Sequence, residues 1–420
     1  MRICMLTYYY WPHKVGGAEN QCRRLSKKLA ASGIDTVVLT GRHEINWPVK
    51  EKEGDVLIRR LATFETFLKK VKLLVRQHRT LETDNPYCAK VKISTSDVVQ
   101  STEKQTCSFA RLATWSVRYL NILFFCTNTF LFFLFNRSTF SLIHVHTAEW
   151  IAGLAAFAGK LFHIPVICKG ADHPVFSQLY AVPVAACCDI WRRKPYFIAL
   201  TEDMKDDLIQ NGVPETKVTV IPNGVELPEQ TATPSQSSRF LYIGNFSQSA
   251  AHKGFDILIE AWAKVHSRRP AAKLFLLGGG DPDEWIALAD SLGCRDSIEF
   301  VGYQKKTTPF FLQACCLLLP SRKEGISNAL LEAQSFGLPA IVSDIPGNRE
   351  IILHETNGLI VPVENSDALA AACIHIFDNP LLREQYGHAA RKRMQESYSM
   401  GRVANLTRKL YKELLHRAEE

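Results

Sequence analysis

None of the twelve cysteines stands in a C-x-x-C pair. That spacing is what a zinc ribbon or a thioredoxin-like redox site would need. Cys187–Cys188 and Cys315–Cys316 are adjacent and set in apolar stretches. Neighbouring positions suit neither a disulfide nor a shared metal, so the cysteines read as small hydrophobes in a reducing cytosol. No secretory leader is visible: Met1–Thr7 is apolar but short, and Tyr8–Pro12 ends it. It reads as a first buried strand. A G-x-G-x-x-G fingerprint is missing from the first turn, where only Gly16–Gly17 occur. This argues against a Rossmann dehydrogenase. A clear membrane span is missing too. The nearest approach, Tyr119–Phe135, is at the short end of the spanning range and carries Asn121, Thr127, Asn128 and Thr129. It is expected to be a helix buried in its domain or lying on a bilayer.

What is present fits a two-domain α/β protein. The 420 residues exceed one ordinary core and suit two domains of about 200 each. Hydrophobic residues at 46% and charged residues at 22% are normal for a soluble globular enzyme. The net charge of +8 allows an anionic partner without choosing among a nucleotide diphosphate, a phospholipid surface and a nucleic acid.

Both halves open with an apolar run, a glycine-containing turn and an amphipathic helix. In the first, the strand Arg2–Thr7 leads through Tyr8–Gly17 to a helix from Ala18 that places Cys22, Leu25, Leu29 and Ala30 at helical spacing. In the second, Phe240–Gly244 leads through Asn245–Gly254 to a helix presenting Ile257, Leu258, Ala261 and Trp262. Further strands are expected at Thr36–Thr40, Ser141–Val145, Pro165–Cys168, Tyr196–Leu200 and Val218–Ile221 in the first sheet. In the second they fall at Lys273–Leu277, Ile298–Val301, Cys316–Leu319, Ala340–Val342 and Leu359–Val361. Alternation of this kind implies parallel sheets. Pro222–Ser238 is rich in Pro, Ser, Thr and Gln and marks the break. The expected division is a first domain over 1–225 with a surface excursion at 84–106, a linker at 226–238, a second domain over 239–395, and a C-terminal helix over 396–420 packing back on the first domain. Phe64–Leu81 is a basic amphipathic helix, with Lys69, Lys70, Lys72, Arg76 and Arg79 beside or opposite an apolar face. It either faces the core with a solvated basic back or lies on an anionic membrane.

The most informative stretch is PSRKEGISNALLEAQSFGLP, Pro320–Pro339. A strand ends at Pro320, and a helix begins near Ser327. Glu324 precedes that helix and Glu332 lies inside it. A helix N-terminus offers N–H groups and partial positive charge, a ready site for a diphosphate. Two carboxylates beside it suit a ligand rich in hydroxyls: Glu324 for a sugar, Glu332 for a ribose. A glutamate pair eight apart is common, however, and the alternative is a loop residue and a solvated helix residue.

The surrounding pattern resembles the E-x7-E signature of family-four retaining glycosyltransferases, which have the GT-B fold. L-P-S-R, E-G-x-x-N-x-L-L-E-A and G-L-P carry it here. The likeness extends to W-P-H-K-V-G-G-A-E near the N-terminus, IHVHT at Ile143–Thr147, VIPNGV at Val220–Val225, Tyr242–Gly244 with Lys253–Gly254, FVGY at Phe300–Tyr303, SDIPGNREII from Ser343, and NGLIVP from Asn357. Only about Glu51–Phe140 lacks a counterpart. The resemblance implies two Rossmann-like domains with parallel sheets facing a central cleft. It implies that His146 and Glu324 act at the sugar, with Glu332 on the ribose and Lys253 on the departing diphosphate. The backbone N–H groups of Ile326, Ser327 and Asn328 would hold phosphate or sugar, and Gly16 and Gly17 would let the first loop approach the phosphates. His144 is a less definite companion of His146. Where the family has an arginine after the strand-ending glycine, this chain has Asn245; Lys253, Lys323 or Arg322 is left to make good the charge.

The expected activity is metal-independent, retaining hexosyl transfer from a nucleotide-diphosphate sugar to a glycan or lipid-linked acceptor. No cofactor, metal or nucleic acid is expected, and the location is cytoplasmic, with possible peripheral contact with an anionic membrane. Asp281–Asp283 forms a D-x-D, which in another glycosyltransferase fold holds a metal. Here Gly278–Gly280, Pro282 and Glu284 favour a turn and helix cap. The alternatives are an epimerase or phosphorylase on the same fold, and a degenerate, non-catalytic member that binds nucleotide sugar or membrane.

Overall fold

The computed structural model describes residues 1–12, 16–83, 103–147, 150–170, 194–246 and 248–419. The excursion expected at 84–106 lies outside these residues as far as 102, as do Cys187–Cys188. Two compact units emerge: Met1–Cys168 with Tyr180–Pro195, and Lys169–Leu179 with Tyr196–Glu420.

The first sheet contains β1 (Arg2–Leu6), β2 (Asp35–Arg42), β3 (Lys50–Glu53), β4 (Val56–Ala62), β5 (Leu142–Val145), β6 (Val166–Lys169), β7 (Tyr196–Ala199) and β8 (Val218–Val220). Their order is β3-β4-β2-β1-β5-β6-β7-β8. β1 runs parallel to β2 and β5, β2 to β4, and β5 to β6; only β3, against β4, is described as antiparallel. The strands β3 and β4 have no counterpart among those expected from the sequence. β3 reads KEKE, an alternation of charge on an edge that discourages pairing with another chain. β4 turns Arg60 inward, and that buried guanidinium donates to Glu51 at 2.6 Å, to the Trp11 carbonyl at 3.1 Å and to the Pro48 carbonyl at 3.2 Å. An arginine at a core position hides the strand's apolar alternation from a sequence reading.

Helix α1 (Gly17–Ala31) buries Cys22, Leu25, Leu29 and Ala30, the face its spacing predicts. Gly33, at φ +86°, turns the chain into β2. Helices α2 (Phe64–Thr83), α3 (Glu103–Phe135) and α4 (Trp150–Phe162) follow. The apolar run at 119–135 is therefore the second half of one long helix. Its asparagines are tethers: Asn121 Oδ1 accepts from the Glu65 amide at 2.7 Å, and Asn128 Nδ2 donates to the Ala62 carbonyl at 3.0 Å. Among the described residues, no helix is long and apolar enough to cross a membrane.

The second sheet contains β9 (Arg239–Ile243), β10 (Lys273–Leu277), β11 (Ile298–Gly302), β12 (Cys316–Leu319), β13 (Ala340–Ser343) and β14 (Gly358–Val361), in the order β11-β10-β9-β12-β13-β14. Every neighbouring pair is parallel. Two parallel-dominated sheets with helical crossovers are what the alternation implied. Helix α5 (Glu202–Gln210) precedes β8, and α6 (Phe255–Arg268), α7 (Asp283–Ser291), α8 (Thr308–Gln313), α9 (Asn328–Ser335) and α10 (Pro346–Ile351) connect the strands of the second sheet. Helices α11 (Ser366–Asp378), α12 (Pro380–Arg393) and α13 (Met400–Glu419) complete the chain. On α6, Leu258, Ala261 and Trp262 are buried as expected, together with Phe255, Ile259 and Val265; Ile257 is half-buried.

The Pro-, Ser- and Thr-rich stretch at 222–238 is held down. Arg391 donates to the Pro228 carbonyl at 2.6 Å and Arg383 to that of Ser235 at 3.0 Å. Val225 exchanges backbone hydrogen bonds with Tyr398 and Met400, each at 2.8 Å. Arginines far along the chain thus hold this stretch, together with Ser237, whose hydroxyl donates to the Gln313 carbonyl at 2.5 Å.

In each sheet the chain grows outward in both directions from one pair of central strands. In the first that pair is β1 and β5; in the second it is β9 and β12. At such a switch point the loops leaving the carboxyl ends part to opposite sides and open a crevice for a ligand.

The second unit's core is centred on Trp262. Its ring is fully buried, lies edge-on to Phe240 at 5.4 Å, and donates from Nε1 to Ser297 Oγ at 2.9 Å. Trp262→Ala is expected to destabilise this unit by roughly 3–5 kcal/mol, through the cavity and the lost indole hydrogen bond to Ser297, whose hydroxyl keeps its own bond to the Cys294 carbonyl at 2.7 Å. Urea unfolding followed by circular dichroism checks this; an unchanged midpoint would contradict it.

Candidate functional site

In the first unit the site residues sit on either side of the β1/β5 switch point. Gly16 ends the loop after β1 and caps α1; its backbone is extended, at φ −84° and ψ −163°. A Cβ there would meet Glu19 Oε2 at 3.0 Å, a crowding that a flexible side chain can relieve. Gly17 is the first residue of the helix. The described part of the loop is anchored at Trp11: the Arg23 guanidinium lies 4.5 Å from its ring centre and pairs with Glu53, while Arg60 holds its carbonyl. Across the switch point, His146 follows β5 and donates its amide to the Leu6 carbonyl at 3.2 Å. His144 and His146 share one face of the strand and are both buried, with rings stacked at 4.4 Å and 16°.

In the second unit the decisive feature is the crossing of two chain segments at the β9/β12 switch point. β12 is CLLL, fully buried as a central parallel strand must be. It delivers the loop Pro320–Ser327, in which Ser321, Gly325, Ile326 and Ser327 are buried. The other segment is the 3-10 turn Gln248–Lys253, which leads into α6 through Gly254. Gly254 sits at φ +69°, and a Cβ on it would lie 2.2 Å from the Pro320 carbonyl oxygen. Glycine is therefore required both by conformation and by contact. The approach brings Lys253 Nζ into an ion pair with Glu324 Oε1, with the Ser321 hydroxyl 3.5 Å from the same oxygen. Gly347 at the head of α10 presses on the same loop, since a Cβ there would lie 1.5 Å from the Gly325 carbonyl oxygen.

Arg322 holds this crossing together. Its guanidinium makes two bonds to Asp256, at 2.9 and 2.6 Å, and one to Glu364 at 2.7 Å. It also donates to the Ala251 carbonyl at 2.8 Å, and its amide donates to His252 at 2.7 Å. Hydrogen bonds to Asp256 and Glu364 hold the guanidinium's pKa above its usual value. Burial pushes the Asp256 carboxyl up, but bonds from Arg322 and the Ile257 amide outweigh it and hold it below the ordinary range. Of the cations that could replace the arginine missing at Asn245, Arg322 is thus engaged as a strut. Lys323 is exposed, and Lys253 faces Glu324. Asn245 itself is exposed, two residues after the end of β9.

Helix α9 starts at Asn328 with Ser327 as its cap, and its ladder opens with the bond from the Leu331 amide to the Ser327 carbonyl. The first-turn amides of Asn328, Ala329 and Leu330 precede that ladder by helix geometry. Glu332, half-buried, lies one turn in. Behind the helix, Asn357 Nδ2 donates to Gln334 Oε1 at 2.6 Å, and Gln334 Nε2 donates to the Leu338 and Asn357 carbonyls at 3.0 and 3.1 Å. The Gln and Asn of the EAQ and NG motifs are ties that fix α9. Two contributors were not singled out from the sequence. Asn223 is buried and its Nδ2 lies 3.5 Å from the Ile326 carbonyl; the signal was the PNG turn itself. The Tyr242 phenol is buried beneath Gly244, and burial, then the charge of Glu324, push its pKa well up.

The D-x-D has a structural task. Asp281 Oδ1 accepts from the Asp283 amide at 3.1 Å at the head of α7. Among the described residues, no group of three or more His, Cys, Asp or Glu side chains is placed to hold a metal ion. The cysteines described as free are all buried; burial pushes the Cys315 thiol up to about 12 and holds Cys316 well above its ordinary value. Such thiols are inert.

If Arg322 positions both segments, Arg322→Ala raises amide hydrogen exchange over 251–256 and 321–327 about tenfold, with β9 and β10 unaffected. Arg322→Lys recovers only part, because an ammonium cannot make the paired contact with Asp256. Asp256's pKa is depressed by folding, so its contribution is full above the ordinary aspartate pKa of about 3.9 and is lost as pH falls through the lower folded value. The same two segments should therefore loosen on acidification below that range. Exchange unchanged in the alanine variant would remove Arg322 from this role.

Residues 16–224 match the family described as Glycosyl transferase 4-like domain, and residues 225–393 match Glycosyl transferases group 1. Among curated relatives, the chain is 29% identical over 234 residues to an uncharacterized glycosyltransferase of Methanocaldococcus jannaschii, a match covering 51% of this chain and 59% of that protein. It is 24% identical over 267 residues to the capsular polysaccharide biosynthesis glycosyltransferase CapM of Staphylococcus aureus, covering 60% and 68%. The chain thus spans between about half and two thirds of these relatives' lengths. Among solved structures it superposes on sucrose-phosphate synthase from Thermosynechococcus elongatus with a TM-score of 0.70 at 18% identity, covering 99% of both chains. On Anabaena HepE in complex with UDP-glucose the TM-score is 0.67 at 16% identity, covering 98% and 100%. These likenesses show the fold. The two family matches adjoin and together span 16–393, and with the parallel sheets they establish that the chain belongs to the group 1, glycosyl transferase 4-like glycosyltransferases of GT-B fold.

Proposed function

We propose that the protein is a retaining, metal-independent hexosyltransferase that moves a sugar from a nucleotide-diphosphate donor to a hydroxyl of a glycan or lipid-linked acceptor. The observation that carries this reading is the Lys253–Glu324 pair at the β9/β12 switch point, beside the N-terminus of α9. An ammonium and the first-turn amides of a helix offer positive charge where a diphosphate would leave. A carboxylate next to them is suited to sugar hydroxyls. In this reading Lys253 takes a phosphate, Glu324 the sugar, Glu332 the ribose, and the amides of Ile326, Ser327 and Asn328 the phosphate or sugar. Gly16 and Gly17 give the first loop a small profile towards the phosphates, and His146 serves near the anomeric carbon. The acceptor proton can pass to the departing phosphate on the same face, so no separate side-chain base is needed. A relative named for capsular polysaccharide biosynthesis and a solved neighbour holding UDP-glucose support a sugar nucleotide donor and a polysaccharide acceptor. In this reading the reaction runs in the cytoplasm, with the first unit touching a membrane's inner face.

Asn245, standing where the family carries arginine, favours a second reading, a non-catalytic member that binds donor without turning it over. Incubation with UDP-, GDP- and ADP-sugars plus candidate acceptors, with and without EDTA, separates the two. The first reading expects one donor to release nucleoside diphosphate insensitively to EDTA, with the product anomer retained by NMR. Release should fall at least a hundredfold in Glu324→Ala. Dependence on added metal, or inversion, would overturn that reading, and tight donor binding without turnover would favour the second.

A further inference from the structure

The helical layer of the first unit carries an apolar surface that its own core leaves uncovered. On α3, Leu120, Leu123, Leu131 and Leu134 recur at spacings that keep them on one helical face, with exposed Thr127 between them. The leucines are 37–40% exposed, and Phe135 at the helix end is 80% exposed. The opposite face, with Phe125, Thr129 and Phe133, is buried. The exposed row runs about 21 Å along the helix. It is widened on one side by Phe67 and Val71 of α2, joined through the Phe67–Phe124 ring contact, and on the other by Phe157 and Leu161 of α4, joined through Phe130–Phe157. Isolated exposed leucines need no explanation, but a continuous patch over three helices marks a contact surface.

Charge identifies what covers it. Lys70 and Lys72 on α2, Arg137 just after α3 and Lys160 on α4 are exposed around the apolar row. From Lys104 to Phe162 the sequence contains a single acidic residue, Glu149. An elongated apolar face with a basic margin complements an anionic lipid surface, where leucine and phenylalanine enter the acyl boundary and lysine meets headgroups. The described part of α3 is not long and apolar enough to cross a membrane.

We propose that the outward face of α3, flanked by α2 and α4, lies flat on an anionic bilayer and is the surface by which this chain docks there. This deepens the membrane contact of the functional reading above and rests on it for location alone; the donor site plays no part. The test is flotation of the full chain with phosphatidylglycerol and phosphatidylcholine vesicles at low and physiological salt, with UDP-, GDP- and ADP-sugar binding followed by calorimetry in the absence of vesicles. The wild type should float with phosphatidylglycerol, less at physiological salt, and little with phosphatidylcholine. Leu123→Glu/Leu131→Glu should weaken partition at least tenfold, and Lys70→Glu/Lys72→Glu should weaken it and flatten its salt dependence. Lys392→Glu/Lys409→Glu on the second unit should float as the wild type does. Circular dichroism checks folding, and the lysine pair keeps the proposal testable if the leucine pair does not fold. The proposal is overturned if the wild type fails to float, if the folded α3 variants float unchanged, or if those variants instead abolish a self-association seen by light scattering. Loss of donor binding with flotation intact would count against the transferase reading and leave the docking face standing.

Discussion

The site in the second unit depends on the contacts of one guanidinium. Arg322 grips Asp256 with two bonds, reaches Glu364 and the Ala251 carbonyl, and through its amide holds His252. These contacts bind the loop after β12 to the turn before α6. Lys253 follows His252 directly, and Glu324 lies two residues beyond Arg322, so the clamp fixes both candidate side chains from their neighbours. Gly254 and Gly347 make the crossing sterically feasible, and the buried Gln334–Asn357 tie keeps α9 in place behind it. Solvent weakens each such ion pair, but several converging bonds define a geometry that one pair would not.

On the proposed transferase reading, the arrangement offers a substitute for the arginine that Asn245 replaces. Asn245 removes a cation from the loop after β9, and Arg322 is committed to its carboxylates. Lys253 is the cation that the fold brings against Glu324. With the two paired, neither carries an isolated charge in a partly buried site, which would be costly. In the proposed reading, a diphosphate arriving at Lys253 would exchange one anionic partner for another, releasing Glu324 to face the sugar.

Much of this was legible in the sequence because the second half obeys its local rules. Continuous apolar strands such as CLLL and KLFLL, glycine-punctuated turns and the Glu324–Glu332 spacing gave the sheet and the helix start to within a residue or two. The first half hid more. Arg60 at a buried position disguised β4, and β3 is four alternating charges with no apolar signal. Asn121 and Asn128 made an apolar helix look ambiguous until their backbone partners were seen. The clamp itself was invisible, because Arg322, Asp256 and Glu364 lie far apart in sequence and nothing local connects them. Arg322 was legible only as a charge near the site, and its proximity suggested a phosphate ligand where the structure shows a strut.

The claim at the centre of this account is that Lys253 receives the diphosphate while Glu324 competes for it. Titration calorimetry of UDP, GDP and ADP into the wild type, Lys253→Met and Glu324→Gln tests it directly. For the nucleotide that binds, Lys253→Met should weaken affinity at least tenfold, about 1.4 kcal/mol, whereas Glu324→Gln should leave it unchanged or tighten it by freeing the ammonium. Wild-type affinity in Lys253→Met, or a parallel loss in Glu324→Gln, would contradict the account.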